Sequence, residues 1–522
     1  MTAMDPNSDK EAVTSVKETT VSPSESLELD AAWTYLNEHR DTSAAVNLEA
    51  VNLSLLRRKI DWHIVPLMFL CYTLQFLDKV ILNYAAVMGL PADLHLKGNE
   101  FSNIATFLFV GLLCFEVPNV YLLQRLPSAK WLGANVTLWG IATACGAAAH
   151  SYRTILVSRV FLGIFEATIG PSLMLISSQW YTKSEAAPRF SFWYLGLGVG
   201  QIIGGLVSFG FQHVVPSEGR LAGWRIMFVV LGVITVVVGL AVILMLPDTP
   251  MKAKWLSERE KVALLKHVSV NQTGIENTKK GFKWKEVVEA VMDMQVWLLL
   301  LSVVLLSVSS GVVTTYSATL IRNLGYAPKK AALMNTPSGA VSIFFTLLVG
   351  YGIRTQSHRW AWIIACIIPA ILGGALMSFL PTTNRSGILA GIYLVNAVVA
   401  PLPIFYNWTV SNIAGTTKRA FAAAIISGSF SLGNIIGPQT FKAKDAPEYR
   451  PAKIAVMATQ AGCAVTTFAL FLWYVWRNKT RDAAEKVRKG DGGEGAEVGE
   501  IGEKEAWSGL TDWENKKFRY VY

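Results

Sequence analysis

The sequence predicts an all-α polytopic membrane protein with twelve transmembrane helices in two six-helix bundles. Two observations support this fold class. The chain has 522 residues, of which 52% are hydrophobic and only 16% are charged, whereas soluble proteins average about 25% charged residues. The charged residues are concentrated at the two ends and in one central segment, and long, nearly uncharged blocks lie between them.

The apolar blocks are long enough to cross a bilayer as helices, and we number them spans 1 to 12. They lie at 62–86, 101–123, 131–149, 153–178, 190–212, 224–246, 296–319, 331–353, 360–380, 387–411, 419–439 and 453–476. Six spans on either side of a charged segment is the layout of two-bundle secondary transporters. The chain divides into bundles at 56–246 and 295–476, a central loop at 247–294, and polar ends, expected to be disordered, at 1–55 and 477–522.

Basic residues predict the orientation of the spans. An even number of spans puts both ends of the chain on one side, which together with the central loop carries about twice as many Lys and Arg residues as the other side. The short loops alone are less clear, because the loop with Lys442, Lys444, Arg450 and Lys453 falls on the outer side. The ends and the central loop predict that both termini are cytoplasmic.

Composition excludes several classes of function. The net charge of +10 comes mostly from basic residues beside the apolar blocks, which indicates lipid headgroup contact rather than nucleic-acid binding. The five cysteines lie inside apolar blocks without a CxxC pair, so we expect neither disulfides nor a metal site. The sequence contains no HExxH, GxSxG or Walker A motif. We therefore expect a protein that is not an enzyme and needs no cofactor.

Span 4 carries two ionisable residues inside an apolar block. Arg159 and Glu166 are seven residues, or about two helical turns, apart, so they lie on one helix face with Gly163 between them. Inserting a charged side chain at membrane depth costs about 2.5 to 3.5 kcal/mol, so a charged residue there is by default a candidate for a functional site. We expect this face to line a polar cavity; the alternative is an ion pair that only ties helices together.

Span 1 carries Asp78 and Lys79 well inside its apolar stretch. Counted from the middle of each span, Lys79 lies about 7 Å and Arg159 about 9 Å toward the outer side. Two cations at similar depth predict a receptor for a carboxylate, which Arg holds with two hydrogen bonds and Lys as a point charge. Alternatively, Asp78 neutralises Lys79 locally. Adjacent helical residues do not face each other, which favours separate partners.

Carboxyl groups inside the spans are candidates for carrying protons, because a low dielectric favours their neutral form. We assign proton coupling to Glu166, near the middle of span 4, and to Asp78. In this hypothesis, a substrate that binds Arg159 releases Glu166 to take up a proton. Glu116 in span 2 has a simpler interpretation, in which it braces the helix at Pro118 or forms part of a cytoplasmic gate.

Spans 7 and 10 carry neutral polar residues and no ionisable acid or base. These residues are Thr314, Thr315, Tyr316, Asn396, Tyr406 and Asn407. If both halves enclose one site, the first half supplies charge and the second supplies neutral hydrogen bonds, which suits a substrate with an anionic end and a polar or ring-like end. We assign Tyr316 and Asn407 to substrate binding, although single polar residues in membrane helices often serve only in packing.

Several segments resemble one family. They read LDKVILNYAAVMGLPADLHLKG, FEVPNVYLLQRLPSAKWLGANVTLWG, SRVFLGIFEATIGPSLMLISSQWY, LPDTP with KWLSEREK, and SNIAGTTKR with GNIIGPQTF. Over about residues 55 to 480 the chain resembles the major facilitator superfamily and, more narrowly, the fungal allantoate permease group of anion:cation symporters. Arg159 and Glu166 match the R…G…E signature of span 4, and Lys79 replaces a basic residue that is usually Arg. The loop after span 2 matches the superfamily pattern only loosely, through Arg125 and Lys130, which we assign to gating.

The resemblance implies uptake of a small organic anion together with protons at the plasma membrane. Members of the group carry allantoate, ureidosuccinate, nicotinate, pantothenate, other vitamins or sulfur compounds, and the sequence selects none of them. We expect a functional monomer in the lipid bilayer that works by alternating access of its two bundles. The alternatives are a metabolite exporter and a nutrient sensor that binds its ligand without carrying it.

Overall fold

The computed structural model describes residue 35 and residues 52–213, 221–269, 283–355, 358–490, 511–515 and 518–522, and these residues are mainly helical. The longer helices are Leu53–Val87, Glu100–Arg125, Ser128–Gly146, Tyr152–Glu166, Ile169–Trp180, Lys183–Tyr194, Gly196–Phe211, Gly223–Met245, Glu258–Ser269, Trp284–Met292, Met294–Asn323, Pro328–Met334, Thr336–Thr355, Arg359–Phe379, Arg385–Val395, Pro401–Asn412, Thr416–Gln439 and Arg450–Gly490. Short helical turns lie at Leu90–Asp93, Pro250–Lys252, Asn396–Val399 and Ala443–Asp445.

Eleven helical stretches among the described residues are long and apolar enough to cross a membrane. They correspond to all the predicted spans except span 3. Span 3 is the helix Ser128–Gly146, whose 19 residues extend about 28 Å at 1.5 Å per residue. It packs closely against span 6, where a Cβ on Gly140 would lie 2.8 Å from the carbonyl oxygen of Gly232. Its many small and polar residues suit this close packing and lower its hydropathy.

Spans 4 and 10, which occupy the same place in the two halves, are both interrupted near their middle. In span 4 one helix ends at Glu166 and the next begins at Ile169. Pro171 has no N–H to donate to the carbonyl group four residues earlier, which favours a break at this point. Span 10 changes to a short 3-10 helix at Asn396–Val399 before Pro401 starts the next helix. Broken helices at midplane depth are a feature of transporter binding sites.

The two halves face each other through spans 1 and 7, spans 2 and 11, and spans 5 and 8. Spans 5 and 8 approach each other at glycines: a Cβ on Gly198 would lie 2.6 Å from the carbonyl oxygen of Gly339. We call the side of the bundle that carries the central loop the tail face, and the other side the opposite face. The tail face also holds the start of span 1 at Leu53 and residues 511–515 and 518–522.

Within the stretch 477–522, which was predicted to be disordered, the structure describes residues 477–490, 511–515 and 518–522, and these are ordered; residues 491–510 and 516–517 lie outside the described residues. The helix of span 12 continues to Gly490, and residues 511–515 and 518–522 pack on the second half, where Tyr520 is buried. Composition suggested disorder because the stretch is rich in Gly, Glu and Lys, but the aromatic residues at its end find buried partners. Most of the predicted N-terminal tail lies outside the described residues; the helix of span 1 begins after Asn52, whose side chain caps it.

Candidate transport cavity

A cavity of about 410 Å³ lies between the two halves. Spans 1, 2, 4 and 5 of the first half and spans 7, 10 and 11 of the second half line it. Its aromatic wall consists of Tyr72, Phe76, Phe109, Phe190, Trp193, Tyr194, Tyr406 and Phe430. A largely apolar, enclosed space with a few polar groups is the usual form of a small-molecule site.

Lys79 and Glu166 form an ion pair at the wall of this cavity. The Lys79 Nζ lies 3.0 Å from Glu166 Oε1. The Glu166 side chain is fully buried, and the Lys79 side chain is 11% exposed. The ammonium group also lies 5.9 Å from the ring centre of Phe109 in span 2 and 5.8 Å from that of Phe430 in span 11. The pair therefore joins spans 1 and 4, and the lysine also reaches an aromatic ring of the second half.

Glu166 is the last residue of its helix before the break in span 4. Its carboxylate therefore lies next to the break and lines the cavity, where broken transporter helices commonly place their binding groups. Lys79 reaches the same point from span 1, and Gln75, four residues earlier on the same helix face, also lines the cavity. The sequence reasoning missed Gln75, although its i, i+4 spacing from Lys79 was a usable signal.

Arg159 lies behind the cavity rather than in its wall. Its side chain is 1% exposed, its Nη1 donates a hydrogen bond of 3.3 Å to the backbone carbonyl of Asp78, and its guanidinium lies 5.1 Å from the ring centre of Phe228. Asp78 Oδ2 accepts a hydrogen bond of 3.1 Å from Thr143. Asp78 and Arg159 thus belong to a buried polar cluster between spans 1, 3, 4 and 6.

The structure places Lys79 and Arg159, which the sequence predicted to hold one carboxylate together, in different surroundings: Lys79 lines the cavity and Arg159 does not. The two residues lie at similar predicted depth, but the span 4 face that carries Arg159 packs inside the first half. Gly163, one turn further along, also packs within the first half, since a Cβ there would lie 2.0 Å from the carbonyl oxygen of Leu108 in span 2. Asp78 and Lys79 have separate partners, as adjacent positions on a helix favour.

The two residues assigned to substrate binding in the second half do not line the cavity. Tyr316 lies toward the opposite face, where its hydroxyl is 2.6 Å from Ser102 Oγ and its ring stacks on Phe441 at 4.1 Å. Asn407 is exposed, one residue past the cavity-lining Tyr406 and so about 100° further round the helix. The neutral polar residues of the second half that do line the cavity are Ser307, Ser310, Thr314, Tyr406, Thr409, Ser427 and Asn434.

Glu116 connects the two halves. Its carboxylate lines the cavity and accepts a hydrogen bond from Ser427 in span 11. The other two residues assigned to gating lie in the first half. Lys130 is 3.9 Å from Asp248 at the end of span 6, and the Arg125 guanidinium lies over the ring of Tyr121. Of the three, only Glu116 contacts the other half in these interactions.

Hydrogen bonds join the two halves between the cavity and the opposite face. Asn83 donates to Ser317 Oγ at 2.8 Å and accepts from the Ala318 N–H at 3.1 Å, which joins spans 1 and 7. Gln439 at the end of span 11 donates to Asn103 at 3.0 Å and to Thr106 at 2.8 Å in span 2. Both sets lie beyond Lys79 and Glu166, between the ion pair and the opposite face.

Two helical bundles on either side of a cavity, with an ion pair at the break in one helix, are the arrangement of a secondary transporter. The profile of the Major Facilitator Superfamily matches residues 68–438, and the chain belongs to this superfamily. It is a multi-pass membrane transporter and not an enzyme. This confirms the predicted fold class and the resemblance on which the family prediction was based.

The chain is related to the fungal group that contains the allantoate permease. It is 37% identical over 468 residues to the thiamine pathway transporter THI73 of Saccharomyces cerevisiae, covering 89% of this chain and 86% of that protein. It is 31% identical over 484 residues to the allantoate permease of the same yeast, covering 89% and 86%.

Solved structures share the fold at low identity. A bacterial homolog of the human lysosomal transporter Spinster, in an inward-facing and unoccupied conformation, matches with a TM-score of 0.57 and 17% identity over 78% of this chain and 95% of that one. The xylose transporter XylE from E. coli, in a partially occluded inward-open conformation, matches with a TM-score of 0.60 and 15% identity over 78% and 98%.

Proposed function

We propose that this transporter takes up a small organic anion together with a proton by alternating access of its two halves. The observation that carries the proposal is the Lys79–Glu166 ion pair at the cavity wall. The pair places one cation and one carboxylate at the same point of the cavity wall, where each can exchange its present partner for another. Among the described residues, the other ionisable side chain lining the cavity, tyrosines aside, is Glu116, which also comes from the first half.

The ion pair suggests how anion binding and proton binding are coupled. A substrate carboxylate that contacts the Lys79 ammonium takes the place of the Glu166 carboxylate. Glu166 is then a buried charge without a counter-ion, and such a group is stabilised by taking up a proton. The loaded carrier holds one added negative charge and one added proton, so its net charge does not change. In this proposal, Lys79 has the role that the sequence reasoning gave to Arg159.

The substrate body would lie among the aromatic side chains and the neutral hydrogen-bonding groups of the second half. Aromatic walls suit a planar or ring-like body, and hydroxyl and amide groups orient it without added charge. The relatives are named for allantoate and for the thiamine pathway. Both kinds of compound belong in the first substrate panel, beside nicotinate and pantothenate.

We also propose that the tail face lies in the cytoplasm and that the protein acts at the plasma membrane as a monomer. The central loop and chain ends on the tail face carry the excess of Lys and Arg that marks cytoplasmic segments. With this orientation, the hydrogen bonds near Asn83 and Gln439 close the extracellular side of the cavity.

Uptake by a host that lacks its own carriers tests the function. Cells that express this chain should accumulate one of a panel of radiolabelled carboxylates, more strongly at external pH 5 than at pH 7.5, because the proton gradient drives entry. A protonophore should abolish accumulation. Protein at the cell surface without uptake of any compound would contradict the proposal and favour export or sensing.

Glu166→Gln should separate binding from coupling. The amide cannot gain or lose a proton, so accumulation driven by pH should fall by about 100-fold, while exchange of substrate across the membrane continues in part. Reconstituted vesicles with and without a pH gradient measure both activities. The matched control is Glu448→Gln at the opposite face, where the side chain is exposed. Equal loss of accumulation and exchange in Glu166→Gln would contradict a role in carrying the proton.

A further inference from the structure

The C-terminal clasp, which we define as residues 511–515 and 518–522, binds the tail-face ends of spans 7, 10, 11 and 12. Two asparagine side chains contact its backbone. The Asn412 amide donates to the carbonyl of Val521 and accepts from its N–H, both at 2.8 Å. The Asn478 amide makes the same pair of bonds with Tyr520, both at 2.9 Å. Paired bonds of this kind hold an extended peptide in one register.

A buried charge cluster anchors the other end of the clasp. The Lys418 side chain at the start of span 11 is fully buried, and its ammonium contacts Asp512 at 2.7 Å. It also contacts Glu289 and Asp293, both at 2.8 Å. Arg481 in the extended helix of span 12 donates to the backbone carbonyl of Asp512 at 2.6 Å. A buried ammonium is costly without partners, so the clasp supplies one of the carboxylates that this lysine needs.

The first half has a counterpart in the segment that follows span 6. There, Trp255 stacks on His63 of span 1 at 4.2 Å and on Trp180 of span 4 at 5.6 Å. In the same segment, Glu260 contacts Lys59 at 2.8 Å. Burial disfavours the charge on Glu260, but hydrogen bonds from Lys59 and Ser257 outweigh burial and hold the pKa of this carboxyl below its usual value.

An ion pair repeats in both halves beneath these segments. Asp61 at the start of span 1 contacts Arg189 at the start of span 5 at 2.6 Å. Asp293 at the start of span 7 contacts Lys418 at the start of span 11. Spans 1 and 5 of one half therefore correspond to spans 7 and 11 of the other. In each half the chain returns after its sixth span to cover the ends of helices that line the cavity.

We infer that the ends of spans 7, 10, 11 and 12 form a peptide-binding site, and that its ligand is the chain's own C-terminal segment. The site selects an acidic residue for Lys418 and a backbone that Asn412 and Asn478 can pair with. The segment folds back between these contacts, so that Tyr520, eight positions after Asp512, donates to the Asp512 carboxylate at 2.9 Å. The bound clasp holds these helix ends together as the second half moves.

The test uses the full chain with Asp512→Ala and Tyr520→Ala together, which weaken the ligand and leave the site intact. The melting temperature of the purified transporter should fall by about 5 °C or more, because Lys418 loses a buried partner. A synthetic peptide of residues 511–522, TDWENKKFRYVY, should restore most of this loss. The same peptide with alanine in place of Asp512 should not.

Two further variants keep the test decisive. Glu514→Ala removes a clasp carboxylate whose partner, Lys285, is largely exposed, so it should change the melting temperature by less than about 1 °C. Val521→Pro removes the N–H that donates to Asn412 Oδ1 and leaves Asp512, Tyr520 and the Lys418 cluster in place. It therefore tests the inference independently if the double variant does not fold, and the peptide should rescue it as well. A double variant that the peptide fails to stabilise, or an equal loss in Glu514→Ala, would overturn the inference.

Discussion

Lys79→Met is expected to abolish substrate accumulation while the protein still reaches the membrane. Removing the ammonium leaves Glu166 buried without its counter-charge, so the carboxyl stays protonated and no longer alternates between two states. It also removes the cation that would hold the substrate carboxylate. We expect uptake to fall by about 100-fold or more, as for other buried charges that lose a partner. Radiolabelled uptake, normalised to surface protein, measures the effect.

Two comparisons make this experiment specific. Lys330→Met removes another lysine that lies near an aromatic ring, Tyr326, but outside the cavity, and it should leave uptake unchanged. Lys79→Met combined with Glu166→Met removes both charges, so the protein should be as stable as the parent and still inactive. Normal uptake by Lys79→Met would exclude the ion pair from both binding and coupling.

Gly163→Ala is expected to produce the largest loss of folded protein among single small substitutions in span 4. A Cβ at this position would lie 2.0 Å from the carbonyl oxygen of Leu108. Because the obstructing atom belongs to the backbone of span 2, a side-chain rotation cannot relieve the overlap. Overpacking of this kind typically costs about 1 to 3 kcal/mol, and backbone contact puts Gly163 at the upper end of that range or beyond it.

Gly170→Ala is the matched control in the same span. A Cβ on Gly170 has no atom within 4 Å among the described residues, so the variant should fold as well as the parent. Size-exclusion profiles and melting temperatures of the two variants measure the difference. If Gly163→Ala were as stable as Gly170→Ala, spans 2 and 4 would not approach each other as closely as the structure shows.

The transmembrane architecture was predictable because each span is a local property of the sequence. A helix that crosses a bilayer must be long and apolar, and it satisfies its own backbone hydrogen bonds. Span 3 is the predicted span that is missing from the eleven stretches of the described residues that are long and apolar enough to cross a membrane. Its block was still recognisable in the sequence, although the helix Ser128–Gly146 contains many small and polar residues. The break in span 4 was also signalled locally, by Gly170 and Pro171.

The ionisable residues of the site were recognisable for a similar reason. Charge at membrane depth is rare, so Lys79, Arg159 and Glu166 stood out from the apolar sequence. Their partners were not predictable, because spacing along one helix gives a direction relative to that helix only. The rotation of spans 1 and 4 against their neighbours decided that Lys79 faces the cavity and that Arg159 faces the interior of the first half.

Sequence alone therefore determined the fold class, the family and the charged residues of the first half. Tertiary structure alone decided the Lys79–Glu166 pairing, the exclusion of Tyr316 and Asn407 from the cavity wall, and the docking of the C-terminal clasp. The physical reason is the separation, along the chain, of the residues on which each feature depends. Hydropathy and helix breaks depend on neighbours in sequence, whereas the Asp512–Lys418 contact joins residues 94 positions apart and depends on how separate helices pack.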